Sequence, residues 1–280
     1  MKVILITGAS SGIGYDAAET LARQGNKVYA AARRLERMEP LKEFGVVPLR
    51  MDVTDEASMQ AGVDALLQAE GRIDVLVNNA GYGYFGAIEN VTMEEARRQL
   101  EVNLFGLARL CQLVLPTMRT QGGGRIINIA SVVGKAPLQF GGWYNVSKFA
   151  VEGFSDSLRM DLRPFGIDVV TIEPGSIQTE WGGIAADNLA ASCEGGVYEE
   201  GAQNMAALMR FFFSKNWSSR PAAVTKAIVK AVNRRHPRVR YRPGRFAHLV
   251  VWSHALLPTR WWDGINGLFL KLKLKGASEA

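Results

Sequence analysis

Tyr144 and Lys148 stand four residues apart in Tyr144-Asn145-Val146-Ser147-Lys148, a spacing that puts both side chains on one face of a helix. An ammonium beside a phenol favours the phenolate, so a group that normally titrates near ~10 becomes able to exchange a proton nearer neutrality. Ser131 follows the apolar run Arg125-Ile126-Ile127-Asn128-Ile129-Ala130, which reads as a buried strand. A hydroxyl at the carboxyl end of a strand can donate to a substrate oxygen while the tyrosine handles its proton. On its own, a Tyr-x-x-x-Lys pair also describes an ordinary helix surface, so its meaning depends on the rest of the chain.

The elements that must position this group begin at the N-terminus. Lys2-Val3-Ile4-Leu5-Ile6 is a short β-branched strand that runs into Thr7-Gly8-Ala9-Ser10-Ser11-Gly12-Ile13-Gly14 and then a helical pattern through Ala22. Glycines there permit a tight turn and a close backbone approach to a pyrophosphate, and the helix start offers N–H groups and a positive dipole end. The spacing is G-x-x-x-G-x-G rather than G-x-G-x-x-G. Dinucleotide binding is the stronger reading, and a purely structural turn is the alternative.

The second strand, Lys27 to Ala32, is followed by Arg33-Arg34, with no carboxylate before Glu36. NAD-selective sites place an acid here for the ribose hydroxyls, whereas an arginine accommodates a 2′-phosphate. NADP(H) is the expected cofactor, unless the two arginines only solvate a loop. A third strand ends at Asp52-Val53, where the acid can accept from an adenine amino group or cap the next helix. A fourth ends at Asn78-Asn79-Ala80-Gly81, whose small residues suit a backbone lying against a cofactor or a plain turn.

The glycine motif, Asp52-Val53, Asn78-Asn79-Ala80-Gly81, Asn103, Ser131, Tyr144-x-x-x-Lys148 and Pro174-Gly175-Ser176-Ile177-Gln178-Thr179 together resemble the short-chain dehydrogenase/reductase family in its single-domain branch. The resemblance covers roughly residues 1–242 and implies a homodimer or homotetramer, paired through the long helices beginning near Arg97 and Trp143, whose outer faces are expected to include Leu104, Leu107 and Phe154. It implies Tyr144 as general acid/base, Ser131 polarising a carbonyl, and Lys148 binding the nicotinamide ribose while lowering the tyrosine pKa. Asn103 would sit at a helix bend and hold a water linking Lys148 to solvent. Cofactor contacts are implied for Gly8, Ser10, Ser11, Gly12, Ile13, Gly14, Arg33, Asp52, Val53, Asn79, Ala80 and Gly81, as well as Tyr144 and Lys148. Pro174, Gly175, Ile177 and Thr179 would border the nicotinamide. At Ser11, where some NADP-preferring relatives carry a basic residue, the phosphate contact falls to Arg33 with Ser10 assisting.

Length and composition agree with an α/β enzyme: 280 residues, of which 48% are hydrophobic, are ample for one core. Strand-like runs near 3–7, 27–33, 46–50, 73–78, 124–131, 167–173 and 238–242 alternate with helices. That pattern predicts a doubly wound parallel sheet of Rossmann type over 1–245, with a helical appendage over 246–280. Cys111 and Cys193 suggest no disulfide framework, and His236, His248 and His254 lack ligand partners, so no metal site is expected. The chain enters its first strand at once, which argues for a cytoplasmic protein without a leader.

Residues 201–280 carry 15 Lys/Arg against two acids, within a chain of net charge +6. A basic end of this kind can mark an anionic partner; for this fold a nucleic acid is not expected. Residues 180–200 read as a mobile lid on the substrate side. Tyr82, Tyr84, Phe85, Phe140, Trp143 and Trp181 are expected near its mouth, with Trp143 and Trp181 joining Ser131 and Tyr144 in substrate binding. They point to a bulky apolar alcohol or ketone such as a steroid, retinoid or lipid-derived carbonyl. Neither apolar half of the tail reaches the ~20 residues a membrane span needs. Trp261, Trp262 and the lysines after Leu270 suit peripheral contact with a membrane, while a helical pair capping the cleft or a subunit interface is the favoured reading. The same fold also carries dehydratases and epimerases, and a non-catalytic NADP-binding sensor would keep the glycine turn without needing Asn103, Ser131, Tyr144 and Lys148 together.

Overall fold

A computed structural model describes residues 1–271. The element order is β1 (Val3–Thr7), α1 (Gly12–Arg23), β2 (Lys27–Ala32), β3 (Val47–Arg50), α2 (Glu56–Glu70), β4 (Val75–Asn78), α3 (Met93–Leu100) and α4 (Gly106–Thr120). It continues with β5 (Gly124–Ile129), α5 (Gly142–Leu162), β6 (Ile167–Ile172), α6 (Glu180–Ser192), α7 (Glu199–Phe213), α8 (Ala222–Asn233), β7 (Arg240–Tyr241), α9 (Ala247–Leu256) and α10 (Thr259–Lys271). All seven strands form one parallel sheet in the order β3-β2-β1-β4-β5-β6-β7. The order reverses between β1 and β4, and the loops leaving those two strands open the crevice where a doubly wound fold binds its ligand.

Strand alternation builds both halves of the core. Ile4 and Ile6 of β1 pack on one face with Ala17, Leu21, Ile228 and Val232, while Val3 and Leu5 pack on the other with Leu66, Leu110, Val114 and Val151. Helices thus cover both faces, as a sheet with buried, near-continuous Val/Ile strands requires. Asp55 caps α2 by accepting from the Ser58 N–H at 3.1 Å, and Gly71 ends that helix in the left-handed conformation, φ +67°. β7 is only two residues long, shorter than the expected strand over 238–242.

A third apolar cluster lies on the substrate side. Phe85, Phe140 and Tyr144 meet Ala185 and Leu189 of α6, Met205 and Met209 of α7, and Ala247 and Val251 of α9. The segment 180–200, expected as a mobile lid, is mostly helix. Its small residues supply a tight inner face: Ala185, Ala186 and Leu189 are buried at helical spacing. In α10 the Trp262 indole donates to the Pro137 carbonyl at 3.0 Å, and the Asn204 amide donates to the Leu270 carbonyl at 2.9 Å. The tail is thereby fixed to α7 and to the loop ahead of α5. The lysines Lys273 and Lys275, part of the tail reading, lie outside the described residues. No described helix is long and apolar enough to cross a membrane.

One expectation about the outer faces of α4 and α5 needs correction. Leu107 is buried against the sheet with Leu110 and Val114, because it sits on the inward stripe of α4. The large apolar side chains exposed on these helices and just ahead of α4 are Phe105, Val146, Phe149 and Met160, whereas Leu104 and Phe154 are half-buried.

Candidate active site

The turn after β1 is shaped by glycines that admit no side chain. Gly8 adopts φ +67°, and a Cβ there would lie 2.7 Å from the Ala80 Cα. A Cβ on Gly14 would stand 2.5 Å from the Asn79 amide nitrogen and 2.6 Å from the Gly8 carbonyl. Thr7 locks this arrangement, its hydroxyl oxygen accepting from the Asn79 and Ala80 N–H groups at 3.1 and 3.0 Å. The Asn79 amide in return donates to the Thr7 carbonyl at 2.9 Å. Ser11 heads α1 without a side-chain cap, so the first N–H groups of that helix stay available to an anion.

These residues edge a cavity of about 530 Å³. Gly8, Ser10, Ser11, Arg33, Asp52, Val53, Ala80 and Gly81 all line it, as their motifs predict. Arg33 is exposed at its rim, and Arg34 donates to the Ser10 hydroxyl at 3.3 Å. Burial alone would raise the Asp52 pKa, but two hydrogen bonds from Thr54 and the nearby Arg33 and Arg98 hold it below the usual carboxylate range. Both Thr54 bonds, at 3.0 and 2.8 Å, go to Oδ1, so Oδ2 remains for another donor. Arg34, Tyr82 and Arg98 also line the cavity, and none of them was singled out from the sequence as a cofactor contact. Arg34 was adjacent to the predicted Arg33; Arg98 arrives from α3 through folding, and no local signal marks it.

The loop after β6 closes the other side. A Cβ on Gly12 would come 3.2 Å from the Thr179 methyl group, which places Thr179 against the glycine turn. The Pro174 carbonyl accepts from the Val132 N–H at 3.1 Å, tying this loop to the Ser131 turn. A Cβ on Gly175 would stand 2.4 Å from the Arg245 carbonyl, and Ile177 is buried in the core. Donors, small residues and a cationic rim in this arrangement fit a dinucleotide.

Asn103 occupies a single π turn, Glu101–Phe105, between α3 and α4. Its amide donates to the Tyr82 carbonyl at 2.9 Å and to the Ser147 hydroxyl at 3.0 Å, while its Oδ1 accepts from the Tyr82 N–H at 3.0 Å. It therefore pins the loop after β4 to the catalytic face of α5. The residue that follows the π turn must be small: a Cβ on Gly106 would meet the Val53 carbonyl at 2.1 Å.

Ser131 begins a 3₁₀ turn, where its hydroxyl accepts from the Val133 N–H at 3.3 Å and lies close enough to the Tyr144 phenol to influence its titration. Lys148 is buried and donates from Nζ to the Ile129 carbonyl at 2.9 Å. Burial pushes the Lys148 pKa down to about 8, against an opposing pull from Glu152. Tyr144 departs from the sequence expectation. Burial pushes its phenol up, with the Ser131 hydroxyl acting in the other direction, while the Lys148 nitrogen lies 5.9 Å from the ring centroid and is engaged with Ile129.

Aromatic side chains wall the tyrosine. Phe85 and Trp181 place their ring centroids 5.4 and 5.1 Å from that of Tyr144, and Phe213 backs Trp181 at 5.4 Å. Gly83 makes room for the indole, since a Cβ there would lie 2.5 Å from it. Phe140 packs edge-on against Tyr198 one step further out. Among the described residues Trp143 makes no ring contact with this group, and its buried indole nitrogen has no hydrogen-bond partner.

Behind the site lies a buried charge cluster that sequence reading missed. Glu152 of α5 pairs with Lys135 at 3.0 Å and Arg240 at 3.2 Å; Arg240 also reaches Glu173 at 3.1 Å, and Arg242 pairs with Glu173. Its members come from segments far apart in sequence, so no motif announces it. It joins the helix of Tyr144, the turn of Ser131 and the residue that precedes Pro174.

Comparison with known proteins agrees with this geometry. The family model for short chain dehydrogenase matches residues 2–188. A 3-ketodihydrosphingosine reductase of Bacteroides thetaiotaomicron is 38% identical over 245 residues, spanning 87% of this chain and 88% of its own. A serine dehydrogenase in its closed form with NADP+ superposes with TM-score 0.74 at 27% identity, covering 86% of this chain and 94% of that one. A short chain dehydrogenase/reductase from Burkholderia phymatum in complex with NAD gives TM-score 0.77 at 26% identity, covering 91% and 92%. With a glycine-turn dinucleotide crevice on a parallel sheet and a Ser–Tyr–Lys group beside it, the chain belongs to the short-chain dehydrogenase/reductase family, oxidoreductases that work with a nicotinamide cofactor.

Proposed function

We propose that this protein is an NADP(H)-dependent oxidoreductase that interconverts a ketone and a secondary alcohol on a bulky, apolar, lipid-derived molecule. The observation that carries the reading is the Ser131–Tyr144 hydroxyl pair, set in a wall of Phe85 and Trp181 and backed by Lys148. Gly8, Gly12 and Gly14 with the start of α1 would hold the pyrophosphate, Asp52 and Val53 the adenine, and Arg33 and Arg34 the 2′-phosphate. Asn79, Ala80, Gly81 and Lys148 would hold the ribose side, and Pro174, Gly175, Ile177 and Thr179 the far ring. Bound there, the nicotinamide supplies a hydride in reduction or takes one up in oxidation.

The chain's own part is proton transfer and orientation. As the carbonyl carbon gains a hydride, Tyr144 Oη gives its proton to the carbonyl oxygen and the product is the alcohol; oxidation returns that proton to Tyr144. Ser131 donates to the same oxygen and fixes its position. A phenol that is neutral by burial begins the reductive direction already charged with its proton. Asn103 keeps the Tyr82 loop and Ser147 in register with the two catalytic groups. The long-chain ketone named for the Bacteroides relative supports an apolar substrate, as does the aromatic wall. Arg33, Arg34 and Ala32, with no acid in this place, support NADP(H) over NAD(H).

Two further points belong to this reading. The α9–α10 appendage caps the substrate side by holding α7 and the Pro137 loop in place. The apolar side chains Phe105, Val146 and Phe149 make α4 and α5 the pairing face of a symmetric oligomer. The test is turnover of a panel of ketones of increasing chain length with NADPH and NADH, followed at the nicotinamide absorbance. Consumption of NADPH that grows with chain length is expected; no turnover of any ketone, or preference for small polar ones, would reject the assignment.

A further inference from the structure

The outer faces of α9 and α10 are apolar where solvent should favour polar residues. Leu249, Trp252 and Leu256 form a stripe along α9 and are 63, 61 and 77% exposed. Trp261, Ile265 and Leu268 repeat the pattern along α10, with Trp261 at 67%. Scattered exposed hydrophobic residues are ordinary, but two stripes at helical spacing on consecutive helices are not. The inner faces of the same helices are already occupied, by Val251 in the third apolar cluster and by Trp262 bonded to Pro137. A helix apolar on both sides needs a cover on each.

Charge identifies that cover. Lys215, Arg245, Arg260 and Lys271 are exposed on or beside these helices, and among the described residues none of the four pairs with a carboxylate. Arg245 reaches the Asn216 carbonyl at 2.6 Å, which places it next to Lys215, and there Trp217 and Phe246 stack with centroids 6.3 Å apart. Asp263 is the one acid between Arg245 and Lys271, and the sequence continues with Lys273 and Lys275. A second copy of the chain seated here would bring the same cations to the contact. An anionic surface with an apolar interior suits both the charges and the stripes, and tryptophan is the aromatic residue favoured at such a boundary.

We infer that the outer face of α9 and α10 docks on an anionic lipid surface, with Leu249, Trp252, Leu256, Trp261 and Leu268 entering the acyl boundary and Arg260 and Lys271 facing the headgroups. The helices lie in the interface plane and do not cross it. The opposite side of α9 touches the cluster that contains Tyr144, so the docked face lies one helix away from the catalytic wall. This inference concerns binding to a surface and stands whether or not the proposed ketone chemistry is right.

The experiment is sedimentation of the full chain with vesicles of phosphatidylcholine alone and of phosphatidylcholine mixed with phosphatidylglycerol. The wild type should pellet with the mixed vesicles and bind the neutral ones roughly tenfold or more weakly. Trp252→Ser with Leu256→Ser should lose binding to both, and Arg260→Glu with Lys271→Glu should lose only the preference for anionic vesicles. Each variant is checked by circular dichroism and thermal melting, and all of these side chains are exposed, so the fold should persist. No pelleting of the wild type, or undiminished pelleting of a folded Trp252→Ser/Leu256→Ser variant, would overturn the proposal. Light scattering that shows the same variant breaking a wild-type dimer would overturn it in favour of a second copy.

Discussion

The indole of Trp181 leans across the ring of Tyr144, with centroids 5.1 Å apart and planes at 46°. One side chain of the lid thus forms the wall directly against the acid/base group. Trp181→Ala should open that wall and shift the ratio of kcat/KM for bulky over small ketones by about 10-fold or more, the scale of altered apolar contact in a pocket. Kinetics on a matched pair of long and short ketones would check this. A ratio that stays constant would remove Trp181 from substrate selection.

Tyr144→Phe keeps the ring against Phe85 and Trp181 but deletes the proton. The expected loss is in kcat, by about 10²–10⁴-fold, with cofactor affinity nearly unchanged. Steady-state rates and fluorescence titration of NADPH separate the two. Near-normal turnover would mean that the proton comes from elsewhere.

Cofactor choice should follow the cationic rim. Arg33→Ala is expected to weaken NADPH by about 1.5–3 kcal/mol, the range for a charge-assisted hydrogen bond, and to leave NADH nearly untouched. Adding Ala32→Asp should then favour NADH, because a carboxylate repels the 2′-phosphate. Arg34 already holds Ser10, so it should sustain part of the NADPH affinity when Arg33 is lost. Equal losses for both cofactors would count against a phosphate contact at Arg33.

Lys148 gives a pH signature. Its pKa falls from the ordinary 10.5 to about 8, through burial first and despite Glu152. Between those values the unfolded chain binds a proton that the folded chain has released, so the lysine's burden on stability is full below pH 8 and fades as pH rises toward 10.5. At roughly 1.4 kcal/mol per unit the burden at neutrality is on the order of 3 kcal/mol, partly offset by about 1 kcal/mol from the bond to Ile129. Inactive Lys148→Met should therefore be more stable than wild type at pH 7, with the advantage shrinking across that window. Denaturant titrations from pH 7 to 10 would show it; a pH-independent gap between the two proteins would contradict the assignment.

Much of this site could be read from the chain because its parts are local. The Val3–Thr7 strand, the glycine turn and Asn78–Gly81 are contiguous signals, and the structure sets them side by side around one crevice. What escaped reading depends on distance in sequence or on solvent. The segment 180–200 read as a mobile lid because small residues such as Gly182 and Gly183 punctuate it, yet Gly182 is close-packed under Phe213 and the helix runs through both. Tyr144 looked acidified because spacing puts Lys148 nearby, whereas burial, which no spacing reveals, dominates its titration. Leu107 looked like a pairing residue because helix spacing gives a face but not which way that face turns.

The buried cluster of Glu152, Glu173, Arg240 and Arg242 bears on where this protein can be cut or recombined. The stretch matched by the family model stops at residue 188, and both carboxylates lie inside it while both arginines lie beyond it. Grafting the first 188 residues onto a foreign C-terminal segment would strand the buried Glu173 and leave Glu152 with Lys135 alone, unless the donor brings guanidinium groups to the same places. Chimeras joined after Arg242 carry their counter-ions with them, and that junction is where exchange of substrate-side segments between relatives should be attempted.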